Sequence, residues 1–248
     1  TLAFSLGPLL IAVYVTHLGL ARLPLLTLAG AVLFMAALYL LPKTEGEGAV
    51  PDKSRENGKT GLAGLWTPIL ALWLVSSLRS LMDAALRSFY PILHVEKGNS
   101  LVSAGLVLTL YMLGGTFSAV VCGQYADKRG YRKLFQASFL LAPAFLLLFL
   151  SASGFWVYPA AFAYGFVLLA TIFPALALAT KLAPMSRTLA SSLAFGFATG
   201  TGGLLAPVVG HLGETLGLMP VMRGMAVIPL LCLPFTPLIF AGKKGWKE

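Results

Sequence analysis

An all-α polytopic membrane protein is the fold class this sequence predicts, and three observations carry it. Hydrophobic residues make up 58% of the 248 positions and charged residues only 11%, where a soluble domain carries roughly 25% charged residues. Mean hydropathy is +0.84. The apolar residues also gather into runs of bilayer-spanning length, about 20 residues each. The net charge of +9 could suggest a nucleic-acid partner. However, the cations are confined to short loops between apolar runs, so they build no basic face and the expected surroundings are a lipid bilayer.

Eight candidate spans follow in order, over about 2–19, 23–41, 66–90, 101–123, 134–151, 155–180, 188–213 and 219–241. Between the second and third lies a long polar stretch with Lys43, Glu45, Glu47, Asp52, Lys53, Arg55, Glu56 and Lys59. Its glycine, proline and mixed charge read as a solvated linker. The domains expected are therefore 1–41, a linker over 42–65, and a six-helix unit over 66–248. Residue 1 is Thr, and no basic segment or small-residue cleavage site precedes the first apolar run. The expectation is a chain that starts inside a longer protein rather than at a signal peptide.

Eight spans put both termini and alternate loops on one side. That side holds thirteen cations: Lys43, Lys53, Arg55, Lys59, Lys128, Arg129, Arg132, Lys133, Lys181, Arg187, Lys243, Lys244 and Lys247. The other side holds three: Arg22, Lys97 and Arg223. By the positive-inside rule the crowded side, with both termini, is expected to be cytoplasmic, and the location expected is the cell (cytoplasmic or inner) membrane. Cys122 and Cys232 each sit in an apolar run, which reads as core packing rather than a disulfide or metal framework. No metal or cofactor is expected.

The densest charge lies in Gly123-Gln124-Tyr125-Ala126-Asp127-Lys128-Arg129-Gly130-Tyr131-Arg132-Lys133. It reads as a tight turn, with glycines that let helix ends approach and Gly130 free to take positive φ. Its spacing recurs 87 positions later, where Gly210, Glu214 and Gly217 match Gly123, Asp127 and Gly130, and Gly202 matches Gly115. Three spans separate the copies, as an inverted triple-helix repeat requires, although glycine is common enough here for chance to compete.

This turn is similar to the G-x-x-x-D-(R/K)-x-G-(R)-(R/K)-(R/K) loop motif of the major facilitator superfamily, carried by Gly123, Asp127, Lys128, Gly130, Arg132 and Lys133. Tyr131 stands where the motif has Arg, and Lys128 replaces the commoner Arg. The resemblance implies a major-facilitator-type bundle with about eight of twelve helices present. The six after the linker would be a complete C-terminal half, and the two before it the last of an N-terminal half. Leu6-Gly7-Pro8 resembles the family's fifth helix. Leu182-Ala183-Pro184, Ala190-Ser191-Ser192, Gly200-Thr201-Gly202-Gly203 and Arg79-Ser80 resemble multidrug and fosmidomycin-resistance-type exporters. In the family the motif is a conformational latch, which implies that Asp127 faces the start of the first span, where a helix dipole favours an anion.

Arg79, Asp83 and Arg87 are spaced by four and share one helical stripe. Counting from Trp66 at about 1.5 Å per residue places Arg79 about 20 Å deep, Asp83 about 26 Å and Arg87 about 32 Å. Against a core of about 30 Å, Arg87 reaches an interface while Arg79 lies inside. An arginine there costs about 2.5–3.5 kcal/mol, so it either pairs with Asp83 or lines a cavity and binds an anionic substrate group. Tyr111 and Tyr164 are candidate substrate contacts, with Thr109, Thr171 and Thr199 as weaker cavity groups. Asp83 is the candidate proton carrier, though two flanking arginines favour a standing ion pair. Glu214 is assigned to Arg223 or to the repeat. His17, His94 and His211 fall near outer span ends, suited to pH sensing or to interfacial hydrogen bonding. Gly196, Gly200, Gly202 and Gly203 lack the βαβ setting of a nucleotide loop and read as close helix packing.

No enzyme constellation is present. The function expected is a secondary transporter working by alternating access, a proton-coupled exporter of drugs or small anionic metabolites. The alternative is a membrane sensor or inactive transporter remnant.

Overall fold

A segment that crosses hydrocarbon must satisfy its backbone internally, which makes helix the default here. The computed structural model describes residues 2–40, 66–182 and 191–240, and the regular elements among them are all helical. They are α1 (Leu2–Leu18), α2 (Leu23–Leu40), α3 (Trp66–Glu96), α4 (Leu101–Arg129), α5 (Tyr131–Ser151), α6 (Val157–Leu169), α7 (Ile172–Leu182), α8 (Ala198–Leu216), α9 (Leu218–Gly224), α10 (Val227–Cys232) and α11 (Thr236–Phe240). The linker over 42–65, Arg187, residues 183–190 of the exporter-like stretch and the C-terminal lysines lie outside the described residues.

Among the described residues, five stretches are long and apolar enough to cross a membrane: Thr67–Glu96, Leu101–Arg129, Tyr131–Ser151, Gly154–Lys181 and Leu218–Phe240. Shorter apolar helices cover Ser5–Leu18 and Gly30–Leu40. Two expected spans are interrupted, and proline gives the reason. Pro174 has no N–H for the carbonyl of Ala170, and the helix breaks at Ala170–Thr171 between α6 and α7. Pro229 does the same opposite Met225, and Pro234 and Pro237 follow, so the last stretch is α9, α10, a 3₁₀ turn and α11. The glycine-rich seventh stretch begins with a π-helical turn over Ser192–Phe197 before α8.

Opposite ends of the bundle are fixed by the turns. One end carries Asp127 and the end of α7; the other carries His94 and the start of α4. α1 runs antiparallel to α4, with Ser5 Oγ 3.1 Å from Thr116 Oγ1 and the Leu9 amide donating to Thr109 Oγ1 at 3.3 Å. α4 packs along α6, and α3 along α8. One apolar cluster joins Leu72, Cys122, Phe135, Phe139, Leu178 and Ile239, and a second joins Met82, Leu86, Tyr90, Tyr111, Phe149 and Tyr164. Cys232 belongs to the first cluster, so the two cysteines, far apart in sequence, share one apolar core; both are buried and free.

The turn 123–133 is shorter than its sequence suggests. Helix continues to Arg129 and resumes at Tyr131, so Gly130 alone makes the turn, at φ 94° and ψ 144°. That backbone region is open to glycine alone. Gly123 has open space where a side chain would stand, so it sets no close approach. Gly217 makes the matching one-residue turn between α8 and α9 at φ 87° and ψ 139°. The other pair of matched glycines agrees: a Cβ on Gly115 would strike Leu169 of α6, and one on Gly202 would meet Ser80 and Leu81 of α3 at 2.6 Å. The α4-on-α6 contact thus recurs as an α8-on-α3 contact, as inverted triplets of helices produce.

Candidate functional site

The polar centre of the bundle grows from the stripe on α3. Asp83 receives two hydrogen bonds. Arg87 Nη2 donates to Oδ2 at 2.6 Å, one helical turn away, and the Tyr111 hydroxyl of α4 donates to Oδ1 at 2.8 Å. Both carboxylate oxygens are therefore engaged, and Asp83 is already a counter-ion. Arg87 keeps 31% of its side chain exposed, consistent with a position near one surface.

Arg79 differs. It is only 7% exposed, and among the described residues its Nη1 makes no hydrogen bond. Among the described residues it forms no ion pair with Asp83, which lies within electrostatic range but holds Arg87 instead. The Tyr164 hydroxyl is fully buried and also without a hydrogen bond among the described residues. With Arg79, Arg87 and Asp83 charged, the cluster carries one net positive charge. Two donors in it, Arg79 Nη1 and Tyr164 Oη, are left over. Buried donors of this kind cost about 1–3 kcal/mol each when unmet, more for a charged group.

Aromatic rings wall the cluster. Tyr111 stacks on Tyr164 at 5.8 Å, Tyr164 on Phe149 at 6.0 Å, and Phe149 lies 4.5 Å from Tyr90. What lets Tyr111 and Tyr164 meet is a pair of glycines that sequence reasoning missed. A Cβ on Gly165 would collide with the Tyr111 carbonyl, and one on Gly114 with that of Phe162. The backbones of α4 and α6 therefore touch at the level of the cluster. The signal available in the sequence was a small residue one position after Tyr164 and three after Tyr111.

The remaining candidates are dispersed. Thr109 serves the α1–α4 contact through the Leu9 amide. Thr171 is buried at the α6–α7 break and Thr199 is exposed. Of the four glycines near α8, Gly202 packs on α3, whereas Gly196, Gly200 and Gly203 face open space, so the packing expected of all four holds for one. Glu214 lies 3.9 Å from His211, both exposed, and forms no ion pair with Arg223 among the described residues.

At the loop motif, Asp127 Oδ1 accepts from the Tyr131 hydroxyl at 2.7 Å, and that hydroxyl accepts from Lys181 Nζ at 2.8 Å. Lys181 also lies 4.6 Å above the Tyr131 ring and 3.9 Å from Asp127. Tyr131, the departure from the motif, ties the ends of α4 and α7 together. Arg129 covers Tyr125, and Lys128, Arg132 and Lys133 are exposed. The register of α1 on α4 leaves Leu2 about two turns short of Asp127.

Comparison with known proteins places this architecture. The Major Facilitator Superfamily pattern matches residues 1–207. The chain is 29% identical over 237 residues to the fosmidomycin resistance protein of Escherichia coli (strain K12), covering 92% of this chain and 57% of that protein. It is 25% identical over 234 residues to the uncharacterized MFS-type transporter YfnC of Bacillus subtilis (strain 168), again covering 92% and 57%. The chain thus spans a little over half the length of these curated relatives. A multi-pass helical bundle with paired helix triplets and a pattern match over most of its length has one reading: this chain belongs to the major facilitator superfamily.

Proposed function

We propose that the protein is a secondary transporter that exports drugs or small anionic metabolites by alternating access, coupled to protons, from the cytoplasmic side of an inner membrane. The observation that carries the substrate class is Arg79, a buried cation whose Nη1 makes no hydrogen bond. An arginine at that depth is stabilised by a partner, and Asp83 is already held by Arg87 and Tyr111. An anionic group of the substrate supplies that partner, with the Tyr164 hydroxyl as a second donor and Tyr111 as the neighbouring wall. Export is favoured because the E. coli relative bears the name of a resistance protein, and expelling a toxic compound confers resistance. Asp83 is assigned here as the fixed counter-ion of Arg87, and the Gly123–Lys133 loop as the latch.

The test is counterflow of labelled small organic anions into liposomes holding the protein expressed from its complete reading frame. Exchange that is saturable, and lost in Arg79→Ala, supports the proposal. Binding without exchange would replace it with the sensor reading; neither binding nor exchange would leave an inactive remnant.

A further inference from the structure

His94 stands apart from the other two histidines. His17 and His211 are exposed, whereas His94 is 5% exposed at the end of α3. Both of its ring nitrogens are engaged. Nδ1 lies 3.3 Å from the Tyr90 hydroxyl and Nε2 lies 2.9 Å from Ser103 Oγ, which in turn lies 3.1 Å from the Tyr158 hydroxyl. The chain Tyr158–Ser103–His94–Tyr90 joins α6, α4 and α3. It leads from the half-buried Tyr158 to Tyr90, which is buried against the Phe149 ring of α5. The backbone at this residue is fixed as well, because the His94 carbonyl accepts from the Asn99 side chain at 3.1 Å and from the Asn99 amide at 3.3 Å.

The identity of the partners matters more than their number. A carboxylate beside a histidine ring would favour the charged form, and a carbonyl would fix one tautomer. Hydroxyls do neither, since each can donate or accept. Neutral His94 donates from one nitrogen and accepts at the other. The imidazolium donates from both, to Tyr90 and to Ser103, and Ser103 turns its own hydrogen to Tyr158. Both ring nitrogens and the Ser103 hydroxyl keep a partner in either state. The groups that face the ring are Tyr90 from α3, Ser103 from α4 and Tyr158 from α6. The charge acting on it is Lys97 in the turn after α3, and among the described residues it forms no ion pair with a carboxylate.

We propose that His94 is a proton-binding site, wired to one membrane surface through Ser103 and Tyr158. A proton from surface water bonds to the Tyr158 oxygen, the Tyr158 hydrogen passes to Ser103 Oγ, and the Ser103 hydrogen passes to Nε2. Each hydroxyl ends with the one hydrogen it began with, and His94 gains one proton and one positive charge. That charge adds to Lys97 at the junction of three helices, so protonation loosens this end of the bundle. The site deepens the proton coupling proposed above and rests on that reading for its role in transport. Proton binding itself is measured without transport.

The test uses the 248-residue chain in lipid nanodiscs with His17→Gln and His211→Gln, leaving one imidazole for nitrogen NMR between about pH 5 and 8. The expected result is conversion from the singly to the doubly protonated ring. Ser103→Ala slows proton exchange severalfold, Tyr158→Phe slows it less, and Ser103→Thr restores it. A ring that stays in one neutral tautomer throughout, or exchange indifferent to Ser103→Ala, overturns the proposal. Titration as described, with no substrate exchange by the complete protein, would count against the transporter reading and leave the proton site standing.

Discussion

Arg79 and Arg87 lie two turns apart on the same stripe of α3, and they are held in opposite ways. Arg87 is partly exposed and satisfied by Asp83 at 2.6 Å. Arg79 is buried and keeps one nitrogen without a partner. Their spacing around Asp83 is symmetric in the sequence, so either could have taken the carboxylate. Tyr111 reaches Asp83 from α4 at 2.8 Å and occupies its Oδ1. With Arg87 on Oδ2, each oxygen of that carboxylate already has a donor, and among the described residues Arg79 forms no ion pair with it. A paired charge is architecture, and an unpaired buried one is available to a ligand.

The largest effect expected from breaking this contrast is at Arg79. Arg79→Ala removes saturable anion binding, because truncating a buried charge contact costs about 2–5 kcal/mol, more than an order of magnitude in affinity. Arg87→Ala should leave the folded protein less stable and free Asp83 to turn toward Arg79, so anion binding weakens less than in Arg79→Ala. Comparing the two dissociation constants checks this.

Next in size is the glycine crossing. Gly165→Ala pushes its Cβ into the Tyr111 carbonyl and should destabilise the protein by about 1–3 kcal/mol, as overpacking does. Thermal unfolding in detergent gives the stability change. The same variant draws Tyr111 away from Asp83, so binding changes with it. Asp83→Asn comes third. It keeps an acceptor for Tyr111 but removes the charge that holds Arg87, a loss of about 1–2 kcal/mol for a partly exposed charge-assisted bond.

The smallest effect is at the loop motif. Tyr131→Phe cuts the bridge between Asp127 and Lys181, both largely exposed, and should cost under about 1 kcal/mol. Under the latch role proposed above, it should also shift the balance of inward-open and outward-open forms, as read by accessibility labelling of the reconstituted protein. Asp127→Asn should shift that balance in the same direction as Tyr131→Phe.

Helix positions, the charged turn and the α3 stripe were legible because they depend on local pattern: run length, loop cations and a spacing of four. What the stripe faces was not legible. Periodicity says which residues share a side of α3, but not that Tyr111 comes opposite Asp83, since that follows from how closely α4 and α6 approach. The approach is set by Gly114 and Gly165, two glycines among 26. Sequence reasoning favoured the wrong ones, because Gly196, Gly200 and Gly203 cluster while the pair that matters is split across two helices. Tyr131 looked like a lapse in the motif until Lys181, fifty residues on, supplied its partner. His94 looked like the other histidines because burial by three different helices leaves no local trace.

The most direct test of the account is equilibrium binding of a labelled small organic anion to the reconstituted protein, compared across wild type, Arg79→Lys and Arg79→Ala. The account predicts saturable binding to wild type, weakened binding to Arg79→Lys, which keeps the charge but loses the guanidinium fork, and none to Arg79→Ala. Wild-type affinity in Arg79→Ala would contradict it.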